Sequence, residues 1–139
     1  MKQKNQKNPT KPIIGISIGD VNGIGPEVTI GALSDNRILK TFIPVIYASA
    51  GVISYYRKQM DIEQFNYHQC DSITNINPKK INVINCWSER VNLTPGTGNQ
   101  ESGQYARISL IQATEDLKAS KLDGLVTAPL SKEHVKNEE

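Results

Sequence analysis

Apolar residues in this chain fall into short β-branched runs separated by stretches of helical period. Ile13, Ile14, Ile16 and Ile18 form a nearly continuous run, the pattern of a strand buried on both faces of a parallel sheet. The run breaks at Gly19, and Pro26 begins a helix to about Leu33 with Glu27 in its first turn. Ser34, Asp35 and Asn36 end that helix and cap a short turn from Arg37 to Lys40. A second strand runs from Ile43 to Tyr47, and Ser49 caps a helix from about Val52 to Met60. Partial alternation between Gln64 and Asn77 gives one short strand and a loop, and Ile81 to Ile84 gives another strand. Ala106, Leu110, Ala113 and Leu117 recur at helical spacing, with Ile108 and Ile111 widening the stripe and Arg107, Gln112, Glu115 and Lys118 facing out. Leu125 to Thr127 reads as a short buried strand ended by Pro129, after which Ser131 caps a further helix through Glu133, His134 and Val135. Strands alternating with helices predict an α/β fold, a mostly parallel sheet with helices on both faces and right-handed crossovers.

Composition narrows the class. At 139 residues the chain holds one domain with a real core, and with 6% aromatic residues that core is built from Ile, Leu, Val and Ala. The net charge of +2 is a property of the leader: Lys2, Lys4, Lys7 and Lys11 precede the first acid, and the remainder carries 12 basic against 14 acidic side chains. Residues 1–11 therefore read as a disordered basic leader and residues 12–139 as the folded part. No basic face with interleaved aromatics indicates nucleic acid, no apolar run is long enough for a membrane span, and the leader lacks the apolar core of a secretory signal. The expectation is a cytoplasmic protein with neither nucleic-acid nor membrane partners. Cys70 and Cys86 lack metal or disulfide-framework spacing and read as buried small apolar residues.

Candidate chemistry gathers in the turn after the first strand. Gly19, Gly23 and Gly25 permit positive φ or close backbone approach, and a strand, a glycine turn and a helix start together converge backbone N–H groups on a ligand. Packing alone also explains glycines there, and that alternative stays open. A dinucleotide fingerprint fails because Val28 stands at the third glycine position, and no phosphate-loop Gly-Lys-Ser/Thr follows. Asp20 and Asn22, polar residues at a strand's carboxyl end, suggest contact with a polar substrate. The stretch Thr94 to Gly103 fits either a plain loop or a phosphate-holding one.

The run Gly19-Asp-Val-Asn-Gly-Ile-Gly-Pro-Glu27 resembles the N-terminal signature of the 4-hydroxythreonine-4-phosphate dehydrogenases of pyridoxal phosphate biosynthesis. Gly124-Leu-Val-Thr-Ala-Pro-Leu-Ser-Lys132 is similar to that family's strand-and-loop motif, and Gly98, Ser102 and Gly103 followed by Ala106, Leu110 and Ala113 match its glycine-then-helix pattern. A looser likeness extends to the isocitrate and isopropylmalate dehydrogenases. Val21 stands where many members of the family have proline. The resemblance implies NAD- or NADP-dependent oxidation of 4-phosphooxy-L-threonine to 2-amino-3-oxo-4-phosphooxybutanoate, assisted by a divalent metal (Zn, Mg or Co), in a homodimer. It implies substrate contacts at Asp20, Asn22, Gly23, Thr127 and Lys132, and no metal ligand in this chain, neither His68 nor His134. The three metal-binding histidines are expected beyond Glu139, in a family more than twice this length, so the chain reads as an N-terminal portion that is inactive alone. A threonate or erythronate 4-phosphate dehydrogenase and a non-catalytic α/β binding domain are the alternatives.

Overall fold

The computed structural model describes residues 11–62 and 64–129. Ten of the expected leader residues, together with Lys132 and the expected final helix, lie outside the described residues. Lys11 lies inside: its Nζ donates to the carbonyls of Leu39 at 2.6 Å and Pro78 at 3.1 Å.

Five strands, β1 (Ile13–Ser17), β2 (Ile43–Ala48), β3 (Tyr67–Cys70), β4 (Ile81–Asn85) and β5 (Gly124–Thr127), form one sheet in the order β3-β4-β2-β1-β5. Every pairing is parallel. Three helices, α1 (Gly25–Ala32), α2 (Ala50–Gln59) and α3 (Gln100–Lys118), make three of the four crossovers, and a short 3-10 turn at Ile73–Asn75 lies in the fourth, from β3 to β4. β2 is buried along its whole length, as its continuous apolar run requires.

The pleat sorts side chains to two cores. Ile16, Ile46, Ile81 and Val83 meet Ile30 of α1 and Val52, Ile53 and Tyr56 of α2 on one face. Val45, Tyr47 and Ile84 meet Ala113 of α3 and Leu122 on the other. The expected α/β class with helices on both faces is therefore observed. Side-chain caps set the helix starts: Ser49 accepts from the Val52 amide, and Asn99 and Ser102 form a reciprocal capping box. That box shortens the expected loop to 94–99, because the helix begins at Gln100 instead of after Gly103.

Two expectations are corrected. The buried face of α3 keeps Ala106 and Ala113 of the expected stripe and adds Ser102, Gly103, Tyr105 and Ser109, whereas Ile108, Ile111 and Leu117 are exposed. Small residues let the helix lie close on the sheet, and that proximity outweighs the larger apolar area of the stripe. β5 is not buried: it is an edge strand, and Val126 is 55% exposed. Among the described residues no helix is long and apolar enough to cross a membrane.

Ser109 explains the close approach. Its Oγ accepts from the Ile18 amide at 3.0 Å and donates to the Tyr47 carbonyl at 2.6 Å, bridging β1 and β2 just past their last pair, Ser17 with Tyr47. Replacing Ser109 by Ala leaves two buried backbone groups unpaired, and stability is expected to fall by about 2 kcal/mol or more in denaturant unfolding. The exposed change Ile111→Ala on the same helix should stay within about 0.5 kcal/mol.

Candidate functional site

β1 leads into the turn through Ile18, which is fully buried. Gly19 follows with φ +78°, and a Cβ there would overlap the carbonyl oxygen of Pro129. Asp20 accepts the Asn22 amide on Oδ1 at 2.8 Å, and its carbonyl accepts the Gly23 amide at 2.9 Å, so the carboxylate closes its own turn. Asp20 is only 5% exposed. Val21 is fully buried, and its carbonyl accepts the Tyr56 hydroxyl at 2.6 Å. Burial pushes the Tyr56 hydroxyl up to about 12, so it remains a neutral donor at physiological pH.

Asn22 ties the turn to the glycine loop. Its Oδ1 accepts the Thr94 amide at 2.8 Å and its carbonyl accepts the Gly96 amide at 2.7 Å, with Gly96 at φ +88°. On the other side, β5 continues past Thr127: the Ala128 amide donates to the Ser17 carbonyl, and the Asp20 amide points to the Pro129 carbonyl at 3.4 Å. The turn 19–23, the loop 94–99 and the end of β5 therefore meet at the carboxyl edge of β1.

The glycines divide the work differently from the sequence expectation. Gly23 has no left-handed φ, and a Cβ there would make only ordinary contact with Asp20, so the expected backbone demand at Gly23 is not found. Gly19 carries the left-handed conformation. Gly25 carries the close approach, since a Cβ there would overlap the Ile18 carbonyl oxygen. α1 starts at Ile24 without a side-chain cap, and Glu27 in its first turn is exposed.

Asp20 and Asn22 are thus brought together with Gly23, and Thr127 lies exposed on β5, in register with Ser17 of β1. Of the residues that hold this arrangement, Tyr56 was not singled out in the sequence, and Thr94, Gly96 and Pro129 figured there only as parts of a loop and a strand end. A tyrosine at helical spacing reads as core, and backbone groups leave no residue signature. Among the described residues no group of three or more His, Cys, Asp or Glu can hold a metal. His68, the one described histidine, bonds through Nε2 to the Asn75 carbonyl beside β3. Cys70 and Cys86 are only partly buried, short of the expected burial, and desolvation raises the Cys86 thiol to about 12, which makes it inert.

A separate cleft of about 990 Å³ lies between α2 and the segment that follows β4. Ser49, Asn85 and Trp87 belong to its lining, whereas Asp20 and Asn22 do not.

Residues 40–139 match the family model described as pyridoxal phosphate biosynthetic protein PdxA. A 4-hydroxythreonine-4-phosphate dehydrogenase of Bacteroides thetaiotaomicron is 33% identical over 91% of this chain and 34% of its own length. A Cutibacterium acnes protein provisionally named D-threonate 4-phosphate dehydrogenase is 30% identical over 91% of this chain and 38% of its own length. The chain thus spans somewhat over a third of the length of the curated relatives it matches. The fold is also that of a solved 4-hydroxythreonine-4-phosphate dehydrogenase from Burkholderia phymatum, with TM-score 0.83 and 22% identity over 91% of this chain and 39% of that one. The Klebsiella pneumoniae enzyme of the same name gives TM-score 0.78 and 24% identity over 93% and 40%.

The geometry separates the three glycines experimentally. Gly19→Ala and Gly25→Ala should each lower stability by about 2 kcal/mol or more, through backbone strain and overlap, whereas Gly23→Ala should change it by less than about 1 kcal/mol. Thermal or denaturant unfolding of the three variants measures the difference.

Proposed function

The chain belongs to the family of the pyridoxal phosphate biosynthetic protein PdxA, and from that premise we propose that it serves the NAD(P)-dependent oxidation of 4-phosphooxy-L-threonine to 2-amino-3-oxo-4-phosphooxybutanoate. The observation that carries this reading is the convergence of the turn 19–23, the loop 94–99 and the end of β5 around a nearly buried Asp20. Open α/β sheets bind ligands at such carboxyl edges.

In this reading the charge of the turn decides which part of the substrate it meets. Asp20 and the nearby Glu27 are both acidic, and two carboxylates repel a phosphate. The turn is therefore suited to the ammonium and hydroxyl groups of the substrate and not to its carboxylate or phosphate: Asp20 Oδ1 is taken by the Asn22 amide, and Oδ2, which has no donor among the described residues, can accept from the ligand. Asn22 holds the loop 94–99 against the turn, Gly23 places no side chain beside Asp20, and Thr127 contributes its hydroxyl from the end of β5. Lys132, outside the described residues, is the proposed partner of the phosphate.

A nicotinamide, when bound, accepts the hydride. The described turn does not fit a dinucleotide pyrophosphate, with Val28 and Glu27 where the fingerprint wants glycine and no acid. The described residues likewise do not fit a three-histidine metal site. No step is routed through either group; both are proposed to be held elsewhere in the whole enzyme, which works as a cytoplasmic homodimer. A D-threonate 4-phosphate substrate is the second reading, favoured by the names of several relatives. It lacks the ammonium group, so Asp20 would then meet only hydroxyls.

Asp20→Asn keeps an acceptor for the Asn22 amide and removes the charge, so stability should change by less than about 1 kcal/mol. In the full-length enzyme, kcat/KM for 4-phosphooxy-L-threonine should fall tenfold or more, equivalent to about 1.4 kcal/mol. Unchanged kinetics would remove Asp20 from the site, and an equal loss with D-threonate 4-phosphate would remove the ammonium contact. The 139-residue chain by itself should show no NAD(P) reduction with either substrate, read at the absorbance of the reduced nicotinamide.

A further inference from the structure

We propose that the cleft between α2 and the segment after β4 binds a nucleoside monophosphate. The cleft sits where β2 and β4 lie side by side while their following helices leave to opposite faces of the sheet, α2 to the face of α1 and α3 to the other. Such a divergence opens a crevice at the strands' carboxyl ends. Its volume of about 990 Å³ is at the upper end of small-molecule sites and ample for a mononucleotide.

The lining matches the parts of that ligand. Trp87, tilted at 47° against Tyr105 with ring centroids 4.6 Å apart, lines the cleft with Tyr55, Val52 and Leu93, an aromatic and apolar wall suited to a flat base. Trp87 is 8% exposed, and its buried indole N–H has no hydrogen-bond partner among the described residues, so a shift of the ring that brought it to a ligand acceptor would be favoured. Lys58 and Arg90 also line the cleft, and neither forms an ion pair among the described residues. Arg57 is already committed to the Phe65 carbonyl and the Tyr67 ring. The carboxylates of Asp61, Asp71 and Glu89 share the lining. They would repel a bare anion, but they accept hydrogen bonds from ribose hydroxyls and an exocyclic amine. A ligand carrying donors at one end and a phosphate at the other meets both signs of charge. This site shares neither Asp20 nor Asn22 with the turn and does not depend on the dehydrogenase reading.

Trp87 is the only tryptophan, so its emission reports on the cleft directly. Titration of the full chain with AMP should give a saturable change in Trp87 fluorescence at micromolar to submillimolar concentration. Adenosine and inorganic phosphate, each alone, should bind at least tenfold more weakly. Lys58→Ala and Arg90→Ala, both exposed changes, should weaken AMP binding at least fivefold without moving the emission maximum of the unliganded protein. Calorimetry on Trp87→Phe should still detect AMP, with reduced affinity. The proposal is overturned by the absence of a saturable response up to several millimolar AMP, by phosphate matching AMP, or by full affinity in both cation variants. An emission maximum already that of water-exposed indole overturns the cleft itself.

Discussion

β1 and β2 run together as far as Ser17 and Tyr47 and then part, and the whole carboxyl edge of the sheet depends on how that parting is made good. Two strong backbone groups, the Ile18 amide and the Tyr47 carbonyl, lose each other as partners inside a dry core. One hydroxyl, Ser109 Oγ, serves both. To reach them it must come from a helix lying close on the sheet, which is why the seam of α3 is Ser, Gly and Ala instead of leucine. A larger side chain at Ser102, Ala106 or Ala113 would lift the helix and strand the bridge. The separation that Ser109 stabilises is the space into which the turn 19–23 folds.

The turn is then held from three sides, and none of its tethers is redundant. Tyr56 fixes the Val21 carbonyl from α2, the loop 94–96 fixes Asn22, and Pro129 fixes the start of the turn from beyond β5. These bonds link segments far apart in sequence, so the turn takes its final shape only when both sheet faces are covered. Rigid elements supply the precision, and the turn supplies only short polar side chains. A carboxylate placed this way is nine-tenths buried, and among the described residues only one of its oxygens meets a donor.

What the sequence made legible follows from what each element is made of. The strands were readable because β-branched runs flanked by Gly, Pro and Ser have few alternatives, and the cap at Ser49 was readable because its hydroxyl acts within three residues. The face of α3 was misread because hydrophobic periodicity counts apolar bulk, and here closeness was worth more than bulk. β5 was misread as buried because Leu125 and Val126 match a core strand locally, while its edge position is a property of the strand order. At the site, Asp20 and Asn22 stood out as polar residues in an apolar context. Their difference in role did not: Asn22 spends its side-chain oxygen on the Thr94 amide, a bond across 72 positions that no local pattern encodes. Gly19, Gly23 and Gly25 look alike in sequence, and only the Pro129 and Ile18 carbonyls distinguish the two that must remain glycine.

The described part of the molecule is also one-sided in charge at this edge, and that bears on how a phosphorylated substrate lies. Helix starts attract anions, but α1 begins with Glu27 and with Asp20 beside it, so its dipole is already answered by the protein's own carboxylates. A phosphate brought there would meet two like charges with little water between them. On the reading proposed above, the turn meets hydrogen-bond donors of the ligand and the phosphate lies away from β1. In that proposed arrangement the amino-acid end, which carries a carboxylate as well as an ammonium group, is recognised through its donors, and a substrate held at both ends presents one face of its central carbon.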